Sequence, residues 1–359
     1  MTGGNTSEHL SVAMTTESAD DVTQTTAAGV PTPPSTLGTE YYFQCVVLVI
    51  GIVGTAANAL ILYALVVSKQ HKKQMLIFNQ NVVDFCSCLS LIIIRAARLS
   101  RIRLSGKAGY WFCMLIMGEA FLWVLTLTSK ANIMLITAER YLKIVYATWS
   151  KNHLRTWMLW VAIAFAWFSG TLYTSLNAFL TGNFVNGVCY ANAYWTSRVA
   201  YMIQAFWNIL FYYVLMLIVF IFGYWRILLV LRRQARAVGG SNSSQSQSNQ
   251  MQSNVMKTMI LVSALYAICE FSINCLHLLV ISGANVTISY DTYLVAQFLS
   301  FFYFCANPFI YAVKFDPVKR VLLDLVRRKK PAVNPVAVNT GNRGGTAATG
   351  TTRLAQTQQ

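Results

Sequence analysis

The sequence predicts an all-α membrane protein: a seven-transmembrane helix bundle with a short amphipathic helix after the seventh span. Three observations predict it. The chain of 359 residues is 55% hydrophobic and only 11% charged, where a soluble domain carries about 25% charge. Seven apolar segments occur, each near the roughly 20 residues that a bilayer core demands. Lys and Arg gather in alternate connections between those segments, which puts these loops together on the cytoplasmic side.

The elements follow in order. Residues 1–40 are rich in Ser, Thr, Pro and Gly and cannot bury enough surface to fold alone, so they read as a disordered extracellular N-terminus. Asn5-Thr6-Ser7 is a glycosylation acceptor there. No apolar core follows a basic region at the extreme N-terminus, so no cleavable signal peptide is expected and the first apolar run acts as an anchor. The transmembrane domain covers 41–313. Its spans are Tyr41–Val67, Met75–Ala97, Tyr110–Val145, Trp157–Leu176, Arg198–Leu231, Val255–Ile281 and Tyr290–Val313. The connections carrying Lys69, Lys72 and Lys73, then Lys143, Lys151 and Arg155, then Arg232, Arg233, Arg236 and Lys257 face the cytoplasm. That orientation leaves the N-terminus and a second acceptor, Asn285-Val286-Thr287, outside. Gly239–Asn254 is Gly, Ser, Gln and Asn and reads as a flexible linker. In 314–330, Val318, Val321, Leu322 and Leu325 share one helical face, as in a helix lying on the inner leaflet. Residues 331–359 read as a disordered cytoplasmic tail.

The net charge of +16 belongs to this topology, not to nucleic-acid binding. There is no zinc-ligand spacing and no phosphate-binding glycine loop, so neither metal nor cofactor is expected. With 4 His and 12 acids, the chain has little material for a catalytic constellation, and an enzyme is not expected.

Two motifs carry more. Asn307-Pro308-Phe309-Ile310-Tyr311 puts a proline inside the last span. Proline removes a backbone donor, and the freed carbonyl needs a partner, which Asn307 can supply. Glu139-Arg140-Tyr141 closes the third span. Together they resemble a rhodopsin-like (class A) G-protein-coupled receptor, divergent and peptide-receptor-like, over roughly Tyr41 to Arg328. The resemblance implies that Asn58, Asp84, Asn307 and Tyr311 share one water-filled network. It puts Ser129 where the family binds sodium beside the acid, yet Tyr303 and Phe304 replace the seventh-helix polar residues, which speaks against the ion. It implies that Glu139 holds Arg140 at rest, that sixth-helix movement frees Arg140 for a G protein, and that Tyr224 then joins Tyr311 around it. Many relatives add an acid at the inner end of the sixth helix. Here the aligned residue is Gln252, so appreciable ligand-free signalling is expected. Cys113 and Cys189 resemble the pair tying the third helix to the second outer loop, with Cys45 the less favoured alternative partner. The interval from Cys113 to Arg140 is two residues longer than usual, which calls for a longer outer turn.

Departures from the family pattern are equally informative. Cys269-Glu270-Phe271-Ser272 stands where the sixth helix usually carries Cys-Trp-x-Pro, Met216 replaces the fifth-helix proline, and Lys130 replaces a branched apolar residue. Lone charges at mid-membrane face the interior in pairs. Lys130 and Glu270 are therefore expected to pair, with Asp84 the rival partner for Lys130. Leu122 and Phe301 occupy the positions of the amine-binding aspartate and the retinal lysine, so neither an amine nor retinal is expected. Arg95, Arg98, Arg101, Arg103 and Lys107 crowd the outer end of the second helix. Either they pair with Glu119, Glu40 or headgroups, or they form a vestibule for a carboxylate. Trp123, Trp207, Tyr293 and Gln297 are candidates to line the same cavity. A peptide is the first expectation for the ligand and a small acid the second.

The resemblance implies a multi-pass receptor of the plasma membrane, with membrane lipid, an extracellular ligand, a heterotrimeric G protein and arrestin as partners. Two alternatives stand beside it. One is an ion- or proton-coupled transporter or channel using Asp84, Lys130 and Glu270. It predicts inverted repeats or paired broken helices, and the sequence displays neither. The other is a receptor-like binder that does not signal.

Overall fold

Apolar runs of this length satisfy their backbone inside lipid as helices, because each N–H finds its carbonyl within the segment. The structure is a computed structural model describing residues 34–102, 104–181, 183–185, 188–190, 198–237, 243–282 and 288–327. Asn5, Asn285, Arg103 and residues 331–359 lie outside the described residues, as do the side chains of Cys189 and Gln252.

The first span is α1 (Pro34–Val67), followed by a single turn, α2 (Gln70–Lys73), and the second span, α3 (Met75–Leu99). The third span is compound: α4 (Gly106–Phe112), a π-helical turn Cys113–Met117, and α5 (Ala120–Val145). After the short α6 (Ala147–His153) comes the fourth span, α7 (Thr156–Thr181), and a hairpin of β1 (Asn183–Val185) and β2 (Val188–Tyr190), paired antiparallel with Phe184 opposite Cys189. The fifth span is α8 (Arg198–Ile209), a π-helical turn Leu210–Val214, and α9 (Leu215–Ala237). The sixth is α10 (Ser243–Ser282), the seventh α11 (Tyr290–Lys314), and α12 (Asp316–Val326) follows.

Six of these spans are apolar enough to cross a membrane by composition alone. The exception is α3, whose inward face buries Gln80, Asn81, Asp84, Ser87, Ser90 and Arg95. Its 25 residues still reach about 38 Å at roughly 1.5 Å per residue, more than the ~30 Å hydrocarbon core. The helices form a closed ring. α1 packs on α3 and α11, α5 contacts α3, α7 and α9, and α10 lies against α11. Outward faces are apolar: Ile218, Ile221, Phe222 and Trp225, with Arg226, line an open groove of about 390 Å³ on α9.

Close helix approach depends on small residues. A side chain at Gly54 would meet Cys88 Sγ at 2.7 Å and Cys305 Sγ at 2.9 Å, so the meeting of α1, α3 and α11 requires glycine. Gly170 does the same for α7 against α5, where a Cβ would stand 2.9 Å from the Val124 carbonyl.

Several boundaries differ from the sequence reading. The sixth helix runs back through the Ser/Gln/Asn stretch to Ser243, where a linker is expected. Extending an existing helix needs no new nucleus, and Gln and Met are good helix formers. The surface helix is shorter than 314–330. Phe315 is extended before it, Pro317 sits in its first turn, and Arg327 caps it. Val318 is fully buried, while Val321 and Leu322 pack against the core.

Candidate functional site

The polar residues of the inner faces form one chain of hydrogen bonds across four spans. Trp167 Nε1 donates to Asn79 Oδ1 at 3.2 Å, and Asn79 Nδ2 donates to Asn132 Oδ1 at 3.0 Å. Asn132 Nδ2 donates to Gln80 Oε1 at 2.9 Å, and Gln80 Nε2 donates to Asp84 Oδ1 at 2.9 Å. Asp84 also accepts from Ser129 Oγ at 3.2 Å and, on Oδ2, from Asn307 Nδ2 at 2.8 Å. Asp84 has no solvent exposure. Burial of so many polar groups is tolerable because most are paired, although Asn307 Oδ1 has no partner among the described residues.

Asn58 does not touch Asp84. Pro308 lacks an N–H, so the Phe304 carbonyl four residues earlier loses its helical donor. Asn58 Nδ2 reaches that carbonyl at 3.2 Å, with Cys88 Sγ at 3.9 Å. The expectation that Asn307 repairs the proline break is therefore corrected. Asn307 is spent on Asp84, and α1 makes the repair. Tyr311 is fully buried, and its hydroxyl has no hydrogen-bonding partner among the described residues.

Lys130 and Glu270 meet on the other side of α5. Lys130 Nζ lies 2.7 Å from Glu270 Oε2, with side-chain exposures of 9% and 4%. Asp84, the rival anion, is saturated by neutral donors on the far side. The lysine also sits 5.9 Å from the centroid of the Tyr266 ring, within reach of a cation–π attraction. Tyr266 is fully buried and stands edge-on to Phe220 and Tyr303. Its hydroxyl donates to the Tyr212 carbonyl at 2.5 Å, inside the π turn of the fifth span. π turns interrupt the regular bonding of a helix, so the sixth span grips the fifth at its irregular point without the missing proline. Phe271 does not stand in for the lost tryptophan: it is exposed on the outer face. Tyr266, Gln80, Asn132 and the two π turns are among the features that sequence reasoning missed.

At the α12 end, Arg140 is tied to Oε1 of Gln74, the residue that precedes α3, and lies 3.7 Å from Glu139 Oε2. Lys143 competes for the same carboxylate at 2.5 Å. Tyr141 faces away, packing on Tyr146 and Phe222. Tyr224 is engaged elsewhere: its hydroxyl lies 3.0 Å from Thr137 Oγ1 and 2.8 Å from Ser263 Oγ, bridging the third and sixth spans. Asn254 Nδ2 donates to Asp316 Oδ2 at 2.8 Å, fastening α10 to α12. Arg140 and Tyr224 thus stand in a closed arrangement: Tyr224 is held by a bond to Ser263 that sixth-span movement would break, and Arg140 by Gln74 and Glu139, which lie outside that span.

Sequence comparison supplies the deciding observation. The model of the family described as 7 transmembrane receptor (rhodopsin family) matches residues 57–311, well over half of the chain. The chain belongs to the rhodopsin family of seven-transmembrane receptors. No curated protein matches it in a sequence search.

The opposite end of the receptor corrects part of the ligand expectation. Arg95 is fully buried; it bonds Glu119 Oε1 at 2.9 Å and Gln44 Oε1 at 2.9 Å, between the rings of Phe43 and Phe301. Arg98 shares Glu119 Oε1 at 2.9 Å and donates to the Met117 carbonyl at 3.1 Å, keeping 20% of its side chain exposed. Arg95 is therefore a structural cation, closed off from any ligand, and Arg98 alone of the pair reaches outward. Glu119, which serves both, stands in the break between the π turn and α5, in the left-handed region at φ 56°. The two extra residues after Cys113 are absorbed in this π turn and break. Cys113 is disulfide-bonded, whereas Cys45 is a free thiol, which removes it as the alternative partner. Tyr293 lies within electrostatic reach of the trio, and Gln297, one turn on, shares its face. Trp123 lines a cavity of about 20 Å³ with Leu122, Thr126, Ser300, Phe301 and Phe304, room for about one water. Trp207 is a correction: it lies about 200° around the helix from Ala205, 48% exposed and stacked on Phe211.

Proposed function

We propose that this receptor lies in the plasma membrane with its N-terminus outside. There it binds a ligand carrying an acidic group, a peptide before a small acid, and passes the event to a heterotrimeric G protein by movement of the sixth span. Arrestin is the second cytoplasmic partner. Two cations share one carboxylate at the N-terminal end, so an incoming acid at Arg98 would balance the excess charge. Tyr293 and Gln297 flank its approach. Cys113 pairs with Cys189 in this reading, holding the β hairpin over the same end; non-reducing peptide mapping that recovers any other pair would refute it.

The observation that carries the proposal is the closed state of Arg140, whose partners are one amide and one carboxylate shared with Lys143. Charged hydrogen bonds are roughly twice as strong as neutral ones. No Asp or Glu occurs between Arg232 and Lys257 to reinforce the latch from the sixth span. Receptor reconstituted in nanodiscs should therefore accelerate nucleotide exchange on at least one purified heterotrimer without ligand. Gln252→Glu should reduce that rate, and Arg140→Ala should abolish it. Exchange that no heterotrimer shows, or that Arg140→Ala leaves intact, would favour a binder that does not signal.

A further inference from the structure

Asp84 and Ser129 stand where the family's resemblance implies a sodium ion, and the surrounding atoms do not fit one. A hard cation needs oxygen lone pairs turned toward it. Here the lone pairs of Asp84 Oδ1 and Ser129 Oγ are taken by a side-chain amide, and Asn307 Oδ1 is the one neighbouring acceptor without a partner among the described residues. Gln80 Nε2 lies 2.9 Å from Asp84 Oδ1, 2.6 Å from Ser129 Oγ and 3.3 Å from Tyr303 OH. The orientation of the amide is determined by its other end, where Gln80 Oε1 accepts from Asn132 Nδ2 at 2.9 Å. The reverse orientation would point two donors at each other there and the carbonyl at the carboxylate.

We infer that the amide of Gln80 is a built-in substitute for the family's sodium ion, so that this receptor is insensitive to sodium. The protons close the network. One Gln80 N–H goes to Asp84 and the other to Ser129. Ser129 then donates its own proton to Asp84 Oδ1 at 3.2 Å, and Tyr303 OH, 3.2 Å from Ser129 Oγ, donates to it. Asn307 takes the remaining oxygen of Asp84 at 2.8 Å. Gln80, Asp84 and Ser129 all have zero exposure, and Tyr303 has 1%. The donor takes the position of a cation without carrying a full charge. It is also covalently part of α3 and cannot be lost to the bulk solution, so the coupling between Asp84 and α11 does not vary with the salt outside.

The test compares melting of purified receptor in nanodiscs in NaCl and in N-methyl-D-glucamine chloride at equal ionic strength, which holds general screening constant. Wild type should melt at the same temperature in both salts. Gln80→Ala should open the site and gain a sodium-selective rise of about 2–4 °C. Asp84→Asn added to Gln80→Ala should remove that rise. Gln80→Ser serves if the alanine variant does not fold. A sodium-selective rise in wild type would overturn the inference, as would the absence of any sodium response in the folded Gln80 variant.

Discussion

Lys130→Glu combined with Glu270→Lys should fold and signal better than either charge reversal alone. The two groups are 2.7 Å apart, almost without exposure, on different spans. Removing one partner of a buried pair leaves an uncompensated charge and costs about 3–5 kcal/mol. Lys130→Met and Glu270→Gln should each lower surface display and melting temperature to that extent. The reversals should be worse, because each sets two like charges side by side. The exchange restores attraction but moves the cation away from the Tyr266 ring, so recovery should be partial. Double-mutant-cycle analysis of melting in nanodiscs measures the coupling. An exchanged protein no more stable than the single reversals would show that the two charges do not act as a pair.

The second large effect is expected at Glu119. Its carboxylate serves Arg95 and Arg98 at 2.9 Å each. Glu119→Gln keeps the shape but leaves a fully buried guanidinium without its counter-ion, at a cost of about 3–5 kcal/mol. Glu119→Gly sets the backbone contribution against the loss of the whole side chain. The residue adopts φ 56° and ψ 20°, a conformation that costs a non-glycine residue roughly 1–3 kcal/mol. Glycine relieves that strain but also removes the acceptor that glutamine keeps for both guanidinium groups, so Glu119→Gly should destabilise no less than Glu119→Gln. Arg95→Met, which removes the buried cation together with the need for its partner, should rescue part of the Glu119→Gln loss. Thermal melting reads all four proteins. Wild-type stability in Glu119→Gln would mean the carboxylate is dispensable.

What the sequence made legible follows from how strongly lipid penalises particular groups. Seven spans could be counted because apolar length and basic loops have few other meanings in a chain so poor in charge. Lys130 and Glu270 could be matched because each lacks another reason to stand at mid-membrane. Gln80 carries no charge and gave no such alarm, although its place four residues before Asp84 puts the two on one helical face. The partner of the Phe304 carbonyl was not legible. Any nearby amide suits a freed carbonyl, and only the packing of α1 on α11, allowed by Gly54, brings Asn58 to it. The π turns have no composition of their own. Only the two-residue excess after Cys113 hinted at the first, and Met216 in place of proline concealed the second. Residue type alone suggests a cavity position for Trp207, whereas its angle on the helix, defined by the buried Ala205 and Ile209, turns it to the outer face.

Signalling in the proposed sense requires the sixth span to leave the third, and the Lys130–Glu270 ion pair ties the two together. Pulsed spin-label distances between the exposed positions Lys72 on α2 and Lys257 on α10 test it most directly. In nanodiscs, wild type should show mainly the short distance and lengthen when nucleotide-free G protein is added. The neutral double variant Lys130→Met with Glu270→Gln should populate the longer distance before any G protein is present. A distance that does not change with G protein, or a double variant indistinguishable from wild type, would contradict the claim.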